Sequence, residues 1–217
     1  MTEPSRRAAT DLRFGALLAL GTHALAGFLM LLLLRSGLPS NPDIADRMAF
    51  IAEHVVSWRA AWLSWSVAAL SILYLSVILA RTASSREVSA TTFSNVAPFV
   101  AAAAVAIDLS AETLAMLVLP DLARASDVST FHVLERIVTV LSGGLANALY
   151  TIAVSLLAWA ARGWLPRYAS PAAVVVAFSG TTLTLSAAVG SAPGMVWSNI
   201  ALMPALLLWL WGVARTA

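Results

Sequence analysis

Asp108 and Glu112, in the stretch Ala106-Ile107-Asp108-Leu109-Ser110-Ala111-Glu112, are set in the run Val96 to Leu119, which holds no other charged residue. Residues four apart on a helix lie on one face, one turn from each other. One aspartate at mid-membrane costs ~2.5–3.5 kcal/mol on insertion scales, so it persists where it faces a bundle interior or a wet cavity and has a use or a partner. Two carboxylates this close in a low dielectric are expected to share a proton. The pair could then line a site for a small or amphiphilic ligand and a proton, or act as general acid and base. The plainer alternative is two acids that are neutral, or paired with an arginine, and only fix helix packing.

Neighbours can be placed by depth. If the third span runs outward and the second and fourth run inward, Arg59, Glu135 and Arg136 stand near the outer boundary and could turn toward Glu112, while Asn147 and Tyr150 lie nearer Asp108. A polar cavity open to the outside would result; the alternative is that Arg59 and Arg136 reach to lipid headgroups. His23 is placed near the middle of the first span, where its imidazole could exchange a hydrogen bond with Asp108. One histidine with two carboxylates makes a poor metal set, so no metal is expected. A haem held by two axial histidines would lack its second ligand. Trp58, Trp62 and Trp65 recur at steps of four and three on one helical face, either walling a hydrophobic or cationic ligand or sitting in an interfacial belt.

The elements that must carry these residues are long apolar runs: 14–34, 60–80, 96–119, 137–161, 172–189 and 195–213. Each can cross a hydrocarbon core of ~30 Å. The reading is one all-α domain over residues 1–217, a polytopic bundle of six spans. The first run is too long for a signal-peptide core and continues past Ala24-Leu25-Ala26 into Gly27-Phe28-Leu29-Met30. Residues 36–59 form a polar, proline-containing connection with enough apolar side chains for a short interfacial helix. The fourth helix could begin as early as Phe131, Gly143-Gly144 offers a bend, and Pro204 predicts a kink in the sixth run. Small polar residues from Ser179 to Ser186 suit close helix packing.

Arginine bias sets the expected orientation. With the N-terminus inside, the inner side collects Arg6, Arg7, Arg13, Arg81, Arg86, Arg162, Arg167 and Arg215 against Glu3, Asp11 and Glu87. The outer side has Arg35, Arg47, Arg59, Arg124 and Arg136 against the more numerous Asp43, Asp46, Glu53, Asp121, Asp127 and Glu135. Both termini are therefore expected in the cytoplasm. Leu79-Ala80-Arg81-Thr82-Ala83, Ala160-Ala161-Arg162-Gly163 and Val213-Ala214-Arg215-Thr216-Ala217 end the even-numbered spans alike, which topology alone explains without an internal repeat.

Composition narrows the chemistry. The 217 residues are 60% hydrophobic and 11% charged, with a mean hydropathy of +0.85, against roughly 25% charged residues in soluble proteins. All basic charge is arginine. Without lysine there is no retinal or pyridoxal Schiff base and no phosphate-binding loop of the usual kind. Without cysteine there are no disulfides, thiolate metal sites or iron-sulfur clusters. The arginines stand at helix ends rather than in a stripe, so nucleic acid is not an expected partner. No cofactor is expected.

Ser57-Trp58-Arg59-Ala60-Ala61-Trp62 opening the second span, a third span ending outside, and Arg162-Gly163-Trp164-Leu165-Pro166 closing a long fourth span resemble a family of uncharacterised six-helix bacterial membrane proteins, classed as a domain of unknown function. The resemblance implies a topology and a bacterial inner membrane, and no activity. The leading expectation is a protein that binds or transports a small or amphiphilic ligand through a polar cavity centred on the acid pair. The alternatives are a membrane enzyme using Asp108 and Glu112 on a lipid or isoprenoid, and an accessory subunit for another membrane protein. Partners expected are membrane lipids and either a second copy of the chain or another membrane protein.

Overall fold

A computed structural model describes residues 3–86 and 91–216; Glu87 of the charge balance and Ala217 of the last boundary lie outside them. Among the described residues every regular element is helical. Six helices are long and apolar enough to cross a membrane: Arg7–Gly37, Val55–Arg86, Thr92–Arg124, Val128–Ala161, Ala169–Val189 and Ala192–Ala214. They outrun the apolar segments that announce them, because polar residues at each end still continue the helical ladder.

In detail, α1 (Glu3–Leu29) passes through a π-helical turn at Met30–Leu34 into a 3₁₀ turn. The connection folds as α2 (Ile44–Glu53), whose N-terminus is capped by Asp43 accepting from the Ala45 and Asp46 N–H groups at 2.8 and 3.1 Å. This is the short helix expected there. Next come α3 (Val55–Arg86) and α4 (Thr91–Thr113); a π turn at Leu114–Val118 joins α4 to α5 (Leu119–Arg124). The fourth span is α6 (Val128–Thr139) and α7 (Asn147–Ala161), joined by a π segment at Val140–Ala146. Gly143 and Gly144 lie in that widened segment, where a bend was expected. α8 (Ala169–Val189) and α9 (Ala192–Ala214) complete the chain. Pro204 lies inside α9, which runs on through it, and Pro98 likewise lies inside α4.

Successive spans run antiparallel. Gly15 faces Tyr74 and Thr22 meets Ser71; Ser66 meets Glu112 and Ser84 meets Ser94; Asn147 meets Thr184 and Thr151 faces Gly180; Ser186 faces Gly194 and Ala169 faces Gly212, so residue numbers rise on one helix as they fall on its neighbour. α1 packs on α3, α3 on α4, α4 on α7, α7 on α8, α8 on α9, and α9 returns to α1. The spans thus form a closed ring in sequence order, with α3 touching α7 across it. The α8–α9 corner is a Schellman-type ending: Gly190 adopts φ 75°, its N–H donates to Ala187 O, and Ser191 N–H donates to Ser186 O at 2.8 Å.

The buried apolar side chains form two large clusters, beside a small third at Ala83 and Ala160. One gathers Leu12, Leu75, Leu79, Leu157, Trp209 and Leu210 toward the end where the chain terminates. The other gathers Leu34, Ile51, Trp58, Trp62, Ala115 and Phe131 beneath α2. Between them lies a polar level. On α3 it falls at Ser66 and Ser71, between Trp62 of one cluster and Ile72 of the other; on α1 it holds Thr22 and His23, and on the third span Asp108.

Candidate functional site

The acid pair stands at this level, near the middle of the span Thr92–Arg124. Asp108 is 8% exposed and Glu112 1%. Their burial follows from the helical period, since Ala104, Ala111 and Ala115 are buried on the same side of the helix. Each carboxyl has one serine donor from a neighbouring span. Ser66 Oγ of α3 donates to Glu112 Oε2 at 2.6 Å, and Ser142 Oγ of the π segment donates to Asp108 Oδ1 at 2.6 Å. The Tyr150 hydroxyl stands beside the Asp108 carboxyl, and among the described residues no hydrogen bond of ordinary geometry reaches its buried oxygen. Three spans therefore converge on two carboxylates.

The π turns explain part of this geometry. A π turn inserts one extra residue, rotating the downstream helix by ~100° relative to an uninterrupted α-helix, and Ser142 sits in such a segment. The π turn at Leu114–Val118 receives side-chain donors from α3: Trp58 Nε1 donates to Ala115 O at 2.7 Å and Arg59 Nε to Met116 O at 3.0 Å.

The expectation that Arg59, Glu135 and Arg136 turn toward Glu112 is corrected by their partners. Arg59 is engaged with the Met116 carbonyl. Glu135 is buried in a bidentate pair with Arg47 of α2, Nε to Oε1 at 2.9 Å and Nη2 to Oε2 at 2.8 Å. Arg136 donates to the carbonyls of Ala187 at 2.6 Å and Ala188 at 2.5 Å, where the last carbonyls of α8 lack helical partners. Asn147 clamps α8 rather than facing Asp108, donating to Gly180 O at 2.7 Å and Thr184 Oγ1 at 3.0 Å. His23 shares a hydrogen bond with Ala19 O at 2.8 Å and meets Trp65 edge-on, with ring centroids 6.2 Å apart. It is not joined to Asp108 by a hydrogen bond.

Trp58 and Trp62 are buried, at 2% and 9% exposure, instead of lying in a belt at the surface, and Trp65 is half-buried. The indole N–H groups of Trp62 and Trp65 are buried without a hydrogen-bond partner, on the turn preceding Ser66. Sequence reasoning singled out neither Ser66 nor Ser142. Both serines are short polar residues in apolar helices, where bonding to the helix's own carbonyls is the ordinary behaviour. Among the described residues no group of three or more potential metal ligands forms.

The ion pairs among the described residues are Arg47–Glu135 and Arg124–Asp121. No described arginine is paired with Asp108 or Glu112, so any negative charge on them awaits a proton or an incoming cation. Comparison with known proteins finds no matching protein family, no matching curated protein and no matching solved structure.

Proposed function

We propose that this chain is a multi-pass protein of the bacterial inner membrane, with both termini in the cytoplasm, that binds or transports a small or amphiphilic cation at Asp108 and Glu112. The observation that carries the reading is a pair of buried carboxyls, each with a serine donor and neither with a described arginine. Keeping such a pair at mid-span is costly unless charge is supplied from outside the chain. A cation and a proton then compete for the same oxygens. Trp62, one turn before Ser66, and Trp65, beside it, add aromatic rings of the kind that attract cations.

Native mass spectrometry with tetraphenylphosphonium as probe tests this. Binding is expected to strengthen from pH 5 to pH 8 and to fall at least tenfold in Asp108→Asn and Glu112→Gln. Equal binding by the wild type and both variants would end the proposal. The Tyr150 hydroxyl beside Asp108 favours one second reading, general acid and base chemistry on a lipid or isoprenoid. A chemically altered lipid co-purifying with the wild type, and absent from Asp108→Asn, would favour that reading.

A further inference from the structure

Away from the acid pair, two lateral grooves open on the bundle surface. One, about 410 Å³, lies between α7 and α8 and is lined by Phe93, Ile152, Leu156, Trp159, Ala177 and Thr181. The other, about 520 Å³, lies between α9 and the α7–α8 connection and is lined by Pro166, Tyr168, Leu208, Trp211 and Arg215. Each has a tryptophan in its wall that carries a stacked arginine: Trp159, with Arg162 over it, in the first, and Trp211, with Arg215 itself in the lining, in the second. The Arg162 guanidinium stands 4.0 Å from the Trp159 ring centroid, and that of Arg215 stands 4.9 Å from Trp211. Arg86 is stacked likewise over Trp164, at 4.4 Å.

We infer that these grooves are binding sites for anionic phospholipid, with an acyl chain along the apolar wall and the headgroup phosphate at Arg162 or Arg215. Charge complementarity selects this occupant. Arg162 and Arg215 are exposed and neither forms an ion pair with a described carboxylate. Stacking on indole holds the guanidinium flat; Arg162 Nη1 donates to Trp159 O at 2.8 Å, and the remaining N–H donors at the edge of each guanidinium suit phosphate oxygens. Among the described residues no carboxylate lines either groove, so none there would partner the amine of a zwitterionic headgroup. Exposed apolar walls ending in tryptophan and arginine match the passage from hydrocarbon to headgroup, and basic pockets beside membrane helices take anionic headgroups.

The inference rests on the chain being membrane-inserted and not on the acid pair. The test is native mass spectrometry of detergent-solubilised full-length protein titrated with phosphatidylglycerol, phosphatidylcholine or glycerol phosphate. Wild type is expected to retain about two phosphatidylglycerol molecules, and Arg162→Gln and Arg215→Gln each to weaken one site about fivefold, as for loss of one interfacial basic charge. The lysine variants at both positions should recover most of the binding, and glycerol phosphate should not compete. Equal retention of both lipids, indifference to both glutamine variants, or displacement by glycerol phosphate would each overturn the inference. Resistance of the membrane fraction to alkaline extraction reports insertion separately, so failure of the lipid sites is distinguishable from failure of the membrane reading.

Discussion

Removing the Glu135 carboxylate should unlatch α2 from the bundle. Arg47 and Glu135 form a two-bond fork with side-chain exposures of 6% and 11%, and Arg47 Nη1 also donates to Asn41 O at 2.6 Å. Glu135→Ala leaves the guanidinium buried with the Asn41 carbonyl alone. Breaking a buried pair from one side costs about 3–5 kcal/mol, far more than the ~0–1 kcal/mol of an exposed pair. For a domain of this size, with about 2–4 °C of melting temperature per kcal/mol, the lower end of that range corresponds to a fall of about 6–12 °C. Thermal unfolding in mild detergent, followed by tryptophan fluorescence, measures it. Replacing both partners by apolar residues, as in Arg47→Met with Glu135→Leu, should recover most of the loss, because the cost lies in the orphaned charge. A fall of under about 2 °C in Glu135→Ala, the range of a surface pair, would refute the reasoning.

Three other changes test the packing that positions the site. A Cβ at Gly180 would collide with the Thr151 side chain, so Gly180→Ala should destabilise by about 1–3 kcal/mol, with relief in the Gly180→Ala, Thr151→Ala double variant on the same thermal assay. Trp58→Phe keeps most of the ring but leaves Ala115 O without its indole donor, which should cost about 1–3 kcal/mol and speed hydrogen exchange around 114–118. The exposed Asp127 carboxyl is held below its ordinary value by the Thr130 hydroxyl and N–H and by Ser129. Its folded pKa being depressed, the stability it gives α6 is present above the unfolded aspartate value of about 4 and is lost as pH falls through the lower folded value. Asp127→Ala should therefore melt lower than wild type at pH 7, and the difference should close toward pH 3.

Hydropathy made six helices and the connecting α2 legible, because long apolar runs and the apolar residues within 36–59 act locally, whereas the Asp43 cap on α2 went unread. That the two acids share one face was legible too, since spacing by four residues on a helix fixes it; that this face is buried was not, and it shows only in the packed bundle. The partners were not. Arg59, Glu135 and Arg136 lie at about the depth expected of them, but depth does not fix which neighbour a long side chain reaches, and each is held by a backbone carbonyl or a charge on another element. The π turn at Leu114–Val118 went unread although Pro120 marks it: four residues after Met116 and five after Ala115, it has no N–H to give either carbonyl, and Arg59 and Trp58 of α3 donate there instead. Ser142 gains its place at Asp108 within such a segment. The tryptophan face of α3 was readable, but that Trp58 and Trp62 turn inward depended on α2 and α5 covering them.

The most direct test of the central claim is proton release on cation binding. Tetraphenylphosphonium would be titrated into lightly buffered protein near pH 7, with a pH indicator recording the protons set free. If a cation displaces a proton shared by Asp108 and Glu112, the wild type should release about one proton per cation bound, and Asp108→Asn and Glu112→Gln should lose both the release and the tight binding. Binding without release, or release unchanged in the two variants, would contradict it.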